Sequence, residues 1–172
     1  METSNCLRLY LGGNMAEPMD EAERLLTASA GPRLALIAES FARLTGRPLL
    51  GEVPVSAAAL WAAPMVILAH GTEPDPIFFY GDRLALELFE VTAEQLLQTP
   101  SRLSAETPDR AERMRLLDQV SRRGVIENYA GVRVSATGRR FRIERACVWN
   151  LIDEAGAVHG QAAAFDRWMR LD

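Results

Sequence analysis

The run His70-Gly71-Thr72-Glu73-Pro74-Asp75-Pro76 places an imidazole and two carboxylates close together. By type these could hold a divalent cation, which takes nitrogen and oxygen donors. A metal site needs several such groups converging at fixed geometry, however. Two prolines stiffen this run, and the only other histidine is His159. The plainer reading is a polar hairpin turn whose side chains bond the backbone, and no metal is expected. His70 and His159 both flank candidate strands. If they met, they would form a pH-sensitive or haem-ligating pair. A solvent-facing or capping role for each is simpler.

Arg145 stands out in the run from Arg140 to Ile152. Strict alternation from Phe141 puts it on the apolar face with Ile143, Cys147, Trp149 and Leu151. A buried arginine needs a partner. Glu87, Glu94 or an acidic ligand would serve, and a bulge or a snorkelling side chain would remove the need. Phe78, Phe79, Tyr80, Tyr129 and Trp149 could line a pocket for a flat ligand, or simply form core. The candidate pocket is therefore Phe78, Tyr80, Tyr129, Arg145 and Trp149. Arg133, Arg139, Arg140 and Arg142 crowd one hairpin. They suit either phosphate contact or a solvated sheet face with Glu127 and Glu144 as cross-strand neighbours.

Nucleophilic catalysis finds no support. There is no G-x-S-x-G elbow and no G-x-x-x-x-G-K-[ST] loop. Cys147 falls mid-strand on the apolar side, where a thiol is usually inert. No catalytic residue is assigned, and no cofactor is identified.

The elements that must position these groups are readable from period and punctuation. Residues 1–17 read as a tail broken by Gly12-Gly13, and residues 19–29 as a short helix. Leu34, Ile37, Phe41 and Leu44 share one face of a helix over 33–45, closed by Gly46 and Pro48. Ser56 caps a further turn. Met65–Ala69 and Ile77–Tyr80 form a hairpin. Asp82 caps a helix over 83–89, and Thr92 with Gln95 forms a capping box. A longer helix from Thr107 to Gly124 buries Ala111, Met114, Leu117 and Val120. Strands follow over 125–134, 140–152 and 158–165.

Two strands, a helical block and a three-strand meander are the layout of a PAS domain. The blocks AHGTEPDPIFFYGDRLALELFE, PSRLSAE, YAGVRVSATGRRFRIERACVWNLIDEAG and HGQAAAF resemble the motifs of the MEKHLA family, a PAS-like group. The resemblance covers about residues 60–166. It implies an α+β fold: a PAS-like five-stranded antiparallel sheet, a helical block between strands 2 and 3, and N-terminal helices in front. The expected division is a tail and helical extension over 1–55 and the PAS-like domain over 56–172. The family occurs at the C-terminus of plant homeodomain leucine-zipper proteins and in small bacterial proteins, and this chain is similar to the second kind. The resemblance implies a sensory or regulatory module and carries over neither mechanism nor ligand. Position 82 is Asp where the family leads one to expect Asn, and both cap helices. The asparagine-cysteine-arginine motif of flavin-binding light sensors is missing.

Bulk properties bound the function. The chain has 172 residues, 48% of them apolar, with a net charge of −4. That balance suits one folded domain and disfavours nonspecific nucleic-acid binding. Two cysteines and no long apolar run point to a reduced, cytoplasmic setting without a signal peptide or a membrane span. The leading expectation is a non-catalytic sensor that binds a small ligand or a protein partner and dimerises through helix 33–45. The rivals are a pure protein–protein interaction module and a small enzyme of the nuclear-transport-factor-2-like type. The enzyme would need a His/Asp pair aimed into one cavity.

Overall fold

The computed structural model describes residues 19–171. The expected tail over 1–17 lies outside them. Among these residues six strands form one antiparallel sheet: β1 (Val66–His70), β2 (Phe78–Gly81), β3 (Val125–Val134), β4 (Arg140–Ile152), β5 (Val158–Phe165) and β6 (Arg167–Arg170). The order is β2-β1-β5-β4-β3, with β6 paired to the first part of β4. The sixth strand was not expected. It continues β5 after a bend at Asp166 and gives the first half of β4 a partner that β5 does not reach.

Among the described residues three helices precede the sheet: α1 (Glu21–Ala30), α2 (Arg33–Thr45) and α3 (Ala57–Trp61). Between β2 and β3 lie α4 (Arg83–Phe89), α5 (Ala93–Leu96), a 3-10 turn over Ser101–Ser104 and α6 (Thr107–Arg123). The local signals act as chemistry requires. Asp82 accepts the Ala85 N–H at 2.9 Å and starts α4. Thr92 and Gln95 exchange both bonds of a capping box. Gly46 ends α2 with φ +74°, the left-handed conformation that glycine adopts without strain.

α2 docks on the sheet through its Ile37 and Phe41 side. Trp149 of β4 donates its indole N–H to the Ile37 carbonyl at 3.1 Å and meets the Phe41 ring edge-on at 5.0 Å. Ser40 Oγ both donates to the Ile152 carbonyl and accepts its amide, at 3.0 and 2.9 Å. The stripe assigned from sequence to a second copy is thus taken up within the chain. A boundary at residue 55 also separates α2 from the strand that buries it.

Alternation in β4 does not run unbroken. Against β3 the register passes from Gly131↔Ile143 to Tyr129↔Ala146, which leaves one extra residue in β4. That residue is Arg145, at φ +53°. A second shift between Ile126 and Tyr129 inserts Asn128, at φ +58°, into β3. The two bulges flank Tyr129 and change which side chains face which layer. Phe141 and Ile143 face the α4–α6 layer, and beyond the bulge so do Ala146 and Val148. Cys147 and Trp149 turn towards the α2 side instead. The expectation that Arg145 points into the apolar layer is corrected, because the bulge rotates it out and it is exposed.

The buried side of α6 also differs from expectation. Met114 is 68% exposed and Ala111 is exposed, while Arg113, Leu116 and Val120 are buried. Side chains from the strands set this rotation. Asn150 donates to the Val120 carbonyl at 3.2 Å. Gln161 Nε2 reaches the Leu117 carbonyl, Ser121 Oγ and Asn150 Oδ1 at 3.2, 3.1 and 3.0 Å.

Candidate functional site

A cavity of about 60 Å³ lies between the sheet and the helical block. Leu68 of β1, Phe78 of β2, Phe89 of α4, Ile143 and Val148 of β4 and Ala162 of β5 make it mainly apolar. The polar groups that reach it are His70, Ser104, Arg113, Tyr129, Arg133 and Gln161. None of the lining side chains is acidic. A second cavity of about 300 Å³ adjoins it, with Leu68, Phe78, Phe89 and Ser104 as a shared wall. Leu96, Leu103 and Val134 extend that second space.

Arg113 and Arg133 are each only 7% exposed. Arg133 lies on the inward face of β3, opposite Phe141. Its guanidinium donates to the Val132 carbonyl at 2.7 Å and to the Tyr129 hydroxyl at 3.2 Å, and stacks over the Tyr129 ring. Gly131 makes this arrangement possible, since a methyl there would strike the Tyr129 hydroxyl and lie 2.9 Å from Cζ. Arg113 has no hydrogen bond or ion pair among the described residues. Burial and then the charge of Arg133 push its pKa down to about 10, so it stays cationic at neutral pH.

His70 is 8% exposed, and its Nδ1 lies 2.9 Å from the Gly71 carbonyl. A carbonyl only accepts, so Nδ1 carries the proton. Burial holds the imidazole pKa below its ordinary value, with the Arg113 charge adding to the effect. The ring is therefore neutral at physiological pH. Gly160 lets β5 pass this point, since a methyl on it would collide with the His70 carbonyl oxygen.

Of the five residues chosen from sequence, Phe78 and Tyr129 meet at this cavity. Trp149 faces α2 and Arg145 faces solvent. Tyr80 is 1% exposed, and its hydroxyl has no partner among the described residues. Burial raises its pKa, with the Asp82 and Glu23 charges contributing. A bulge at Phe79 is the cause: Phe78 pairs with His70 but Tyr80 with Ala69, so the two turn to opposite faces. The metal candidates disperse as well. Glu73 accepts the Ile77 amide, Asp75 pairs with Arg102, and His159 pairs with Asp153 at 2.8 Å.

The arginine group on the β3–β4 hairpin divides. Arg139, Arg140 and Arg142 pair with Glu90, Glu106 and Glu144 at the surface, while Arg133 turns inward. Arg113 was missed altogether, because a charged residue on a helix reads as solvated. The available signal was its spacing. Residues 113, 116, 117 and 120 form a helical stripe whose other three members are apolar.

The MEKHLA domain model matches residues 32–170. The chain belongs to the MEKHLA domain family. Two curated relatives are homeobox-leucine zipper proteins HOX29 of Oryza sativa, from subspecies indica and japonica. Each is 25% identical over 111 residues, which is 64% of this chain and 13% of the relative. The chain thus spans only a small part of their length. Among solved structures, the PAS domain of a Colwellia psychrerythraea protein aligns with a TM-score of 0.55 at 15% identity. That alignment covers 63% of this chain and 89% of the other. An RNA-binding light-oxygen-voltage receptor aligns at 0.58 with 18% identity, over 74% of this chain and 37% of that one. A light-oxygen-voltage domain studied with a flavin analogue aligns at 0.52 with 17% identity, covering 67% and 84%. This MEKHLA chain therefore has a PAS-like fold. No helix among its described residues is long and apolar enough to cross a membrane.

Proposed function

We propose that this MEKHLA chain is a non-catalytic sensory module that takes a small molecule between its sheet and α4–α6. The observation that carries this is the mainly apolar cavity with Arg113, Arg133, His70 and Tyr129 converging on it. Apolar walls with a few placed polar groups characterise small-molecule sites, which occupy roughly 300–1,000 Å³. The adjoining cavity of about 300 Å³ supplies the size.

An enzymatic reading is less well supported. His70 has a carbonyl on Nδ1, and the other histidine pairs with Asp153 outside this cavity. Cys147, raised to about pKa 11 by burial, faces away from the cavity towards α2, which disfavours a reactive thiol. A homodimer through helix 33–45 would use its outer side, where Ala35, Glu39 and Ala42 are exposed.

Native mass spectrometry of protein purified under mild conditions tests this function. The expected result is added mass that disappears on denaturation. A bare chain mass with a reproducibly captured protein partner would favour the interaction-module reading instead. The same spectrum reads monomer against dimer.

A further inference from the structure

We propose that Arg113 and Arg133 grip a small organic anion, one oxyanion group on an apolar body, in the cavity between the sheet and α6. The inference rests on the ligand-binding function above and names the chemical class. Two arginines, each 7% exposed, share this wall, and no lining side chain is acidic. A buried charge without an opposite charge is costly, and two like charges at one site raise the cost. None of the ion pairs among the described residues includes either arginine.

Hydrogen bonds to Val132 and Tyr129 satisfy part of Arg133 but do not neutralise it. Arg113 presents its whole donor fork. A planar guanidinium matches a carboxylate with two parallel bonds, which a point cation does not. Tyr129 accepts from Arg133 and keeps its own proton to donate to the same oxyanion. The remainder of the ligand meets Leu68, Phe78 and Phe89, the wall shared with the larger cavity. An inorganic ion would leave that apolar space unused, so the structure favours an acid with a hydrocarbon body.

The test is calorimetry and thermal unfolding of the full chain with hexanoate and benzoate. Hexanamide and benzamide serve as neutral counterparts, and inorganic phosphate as a bodiless anion. The acids are expected to bind and raise the melting temperature, the amides to do neither, and phosphate to act weakly. Arg113→Met is expected to raise the melting temperature of the unliganded protein, because an unpaired buried charge is removed. It is also expected to weaken acid binding by roughly thirtyfold or more. Arg133→Met is expected to show the same loss, and Arg145→Ala, at an exposed position, to bind normally.

Equal binding of amides and acids would overturn the anion class while leaving the ligand function standing. A response to phosphate alone would overturn the organic body. No response to any probe, together with a bare native mass, would overturn both readings. An Arg113→Met protein that unfolds earlier yet binds hexanoate normally would make Arg113 structural. If that variant fails to fold, Arg133→Met and Arg113→Lys decide between the same outcomes.

Discussion

The Asp82 carboxylate accepts the amide of Ile67, in β1, at 3.1 Å, and the same oxygen caps α4 through the Ala85 amide at 2.9 Å. One fully buried side chain thereby ties a strand to the helix that follows β2. The other oxygen, Oδ2, has no partner among the described residues, and Glu23 Oε1 and the Tyr80 hydroxyl are orphaned likewise. Burial pushes the Asp82 pKa up to about 7, against the lowering effects of the backbone amides of Ile67, Ala85 and Asp82 itself and of Arg83.

A pH dependence follows. The folded chain keeps this proton to about pH 7, whereas the unfolded chain releases it near 4. Between those values unfolding releases a proton, so the Asp82 contribution to stability is full below about pH 4 and is lost as pH rises towards 7. Asp82→Asn keeps an accepting oxygen and removes the charge. It is expected to stabilise the fold by roughly 1–3 kcal/mol at pH 8 and to flatten the pH profile. Urea titrations at pH 5 and pH 8 check both, and an unchanged slope in the variant would refute the assignment.

Docking of α2 rests on Trp149 and Phe41. Trp149→Phe removes the bond to the Ile37 carbonyl and is expected to cost about 1–2 kcal/mol. Phe41→Ala removes a buried ring and is expected to cost about 3–5 kcal/mol. Chemical denaturation followed by circular dichroism measures both. Losses under about 0.5 kcal/mol for each would mean that α2 is not packed on β4.

The bulge at Arg145 makes a contrast between two substitutions. A residue at φ +53° carries left-handed strain that glycine avoids and a β-branched residue worsens. Arg145→Gly is expected to leave stability within about 0.5 kcal/mol or to raise it, while Arg145→Val lowers it by about 1–2 kcal/mol. Equal destabilisation by the two variants would show that the arginine contributes through its side chain.

The rotation of α6 depends on the Asn150–Gln161 pair. Asn150→Leu and Gln161→Leu each break bonds to α6, and they share the 3.0 Å bond between them. A double-mutant cycle is expected to show coupling of about 0.5–1.5 kcal/mol. Additive losses would mean that the two side chains act independently.

By itself the sequence determined most of the elements and their order, with β6 and the 3-10 turn over Ser101–Ser104 left out. Helix 33–45 and the strands over 125–134, 140–152 and 158–165 stand where period and turn residues place them. Asp82, Thr92 and Gly46 act as the caps that their types dictate. These are local matters, settled by side chains within four residues of one another. The ordered motifs likewise carried the MEKHLA family.

Tertiary structure decided which side chains share a space. Single extra residues at Phe79, Asn128 and Arg145 each shift a strand by one position, and one position turns every later side chain to the other face. Tyr80, Trp149 and Arg145 left the expected pocket for that reason. Arg133 and Arg113 entered it because pairing with β4 turned one inward and the strand amides of Asn150 and Gln161 rotated the other towards the sheet. Such bulges and helix rotations are settled by contacts between residues far apart in the chain, and local period carries no record of them.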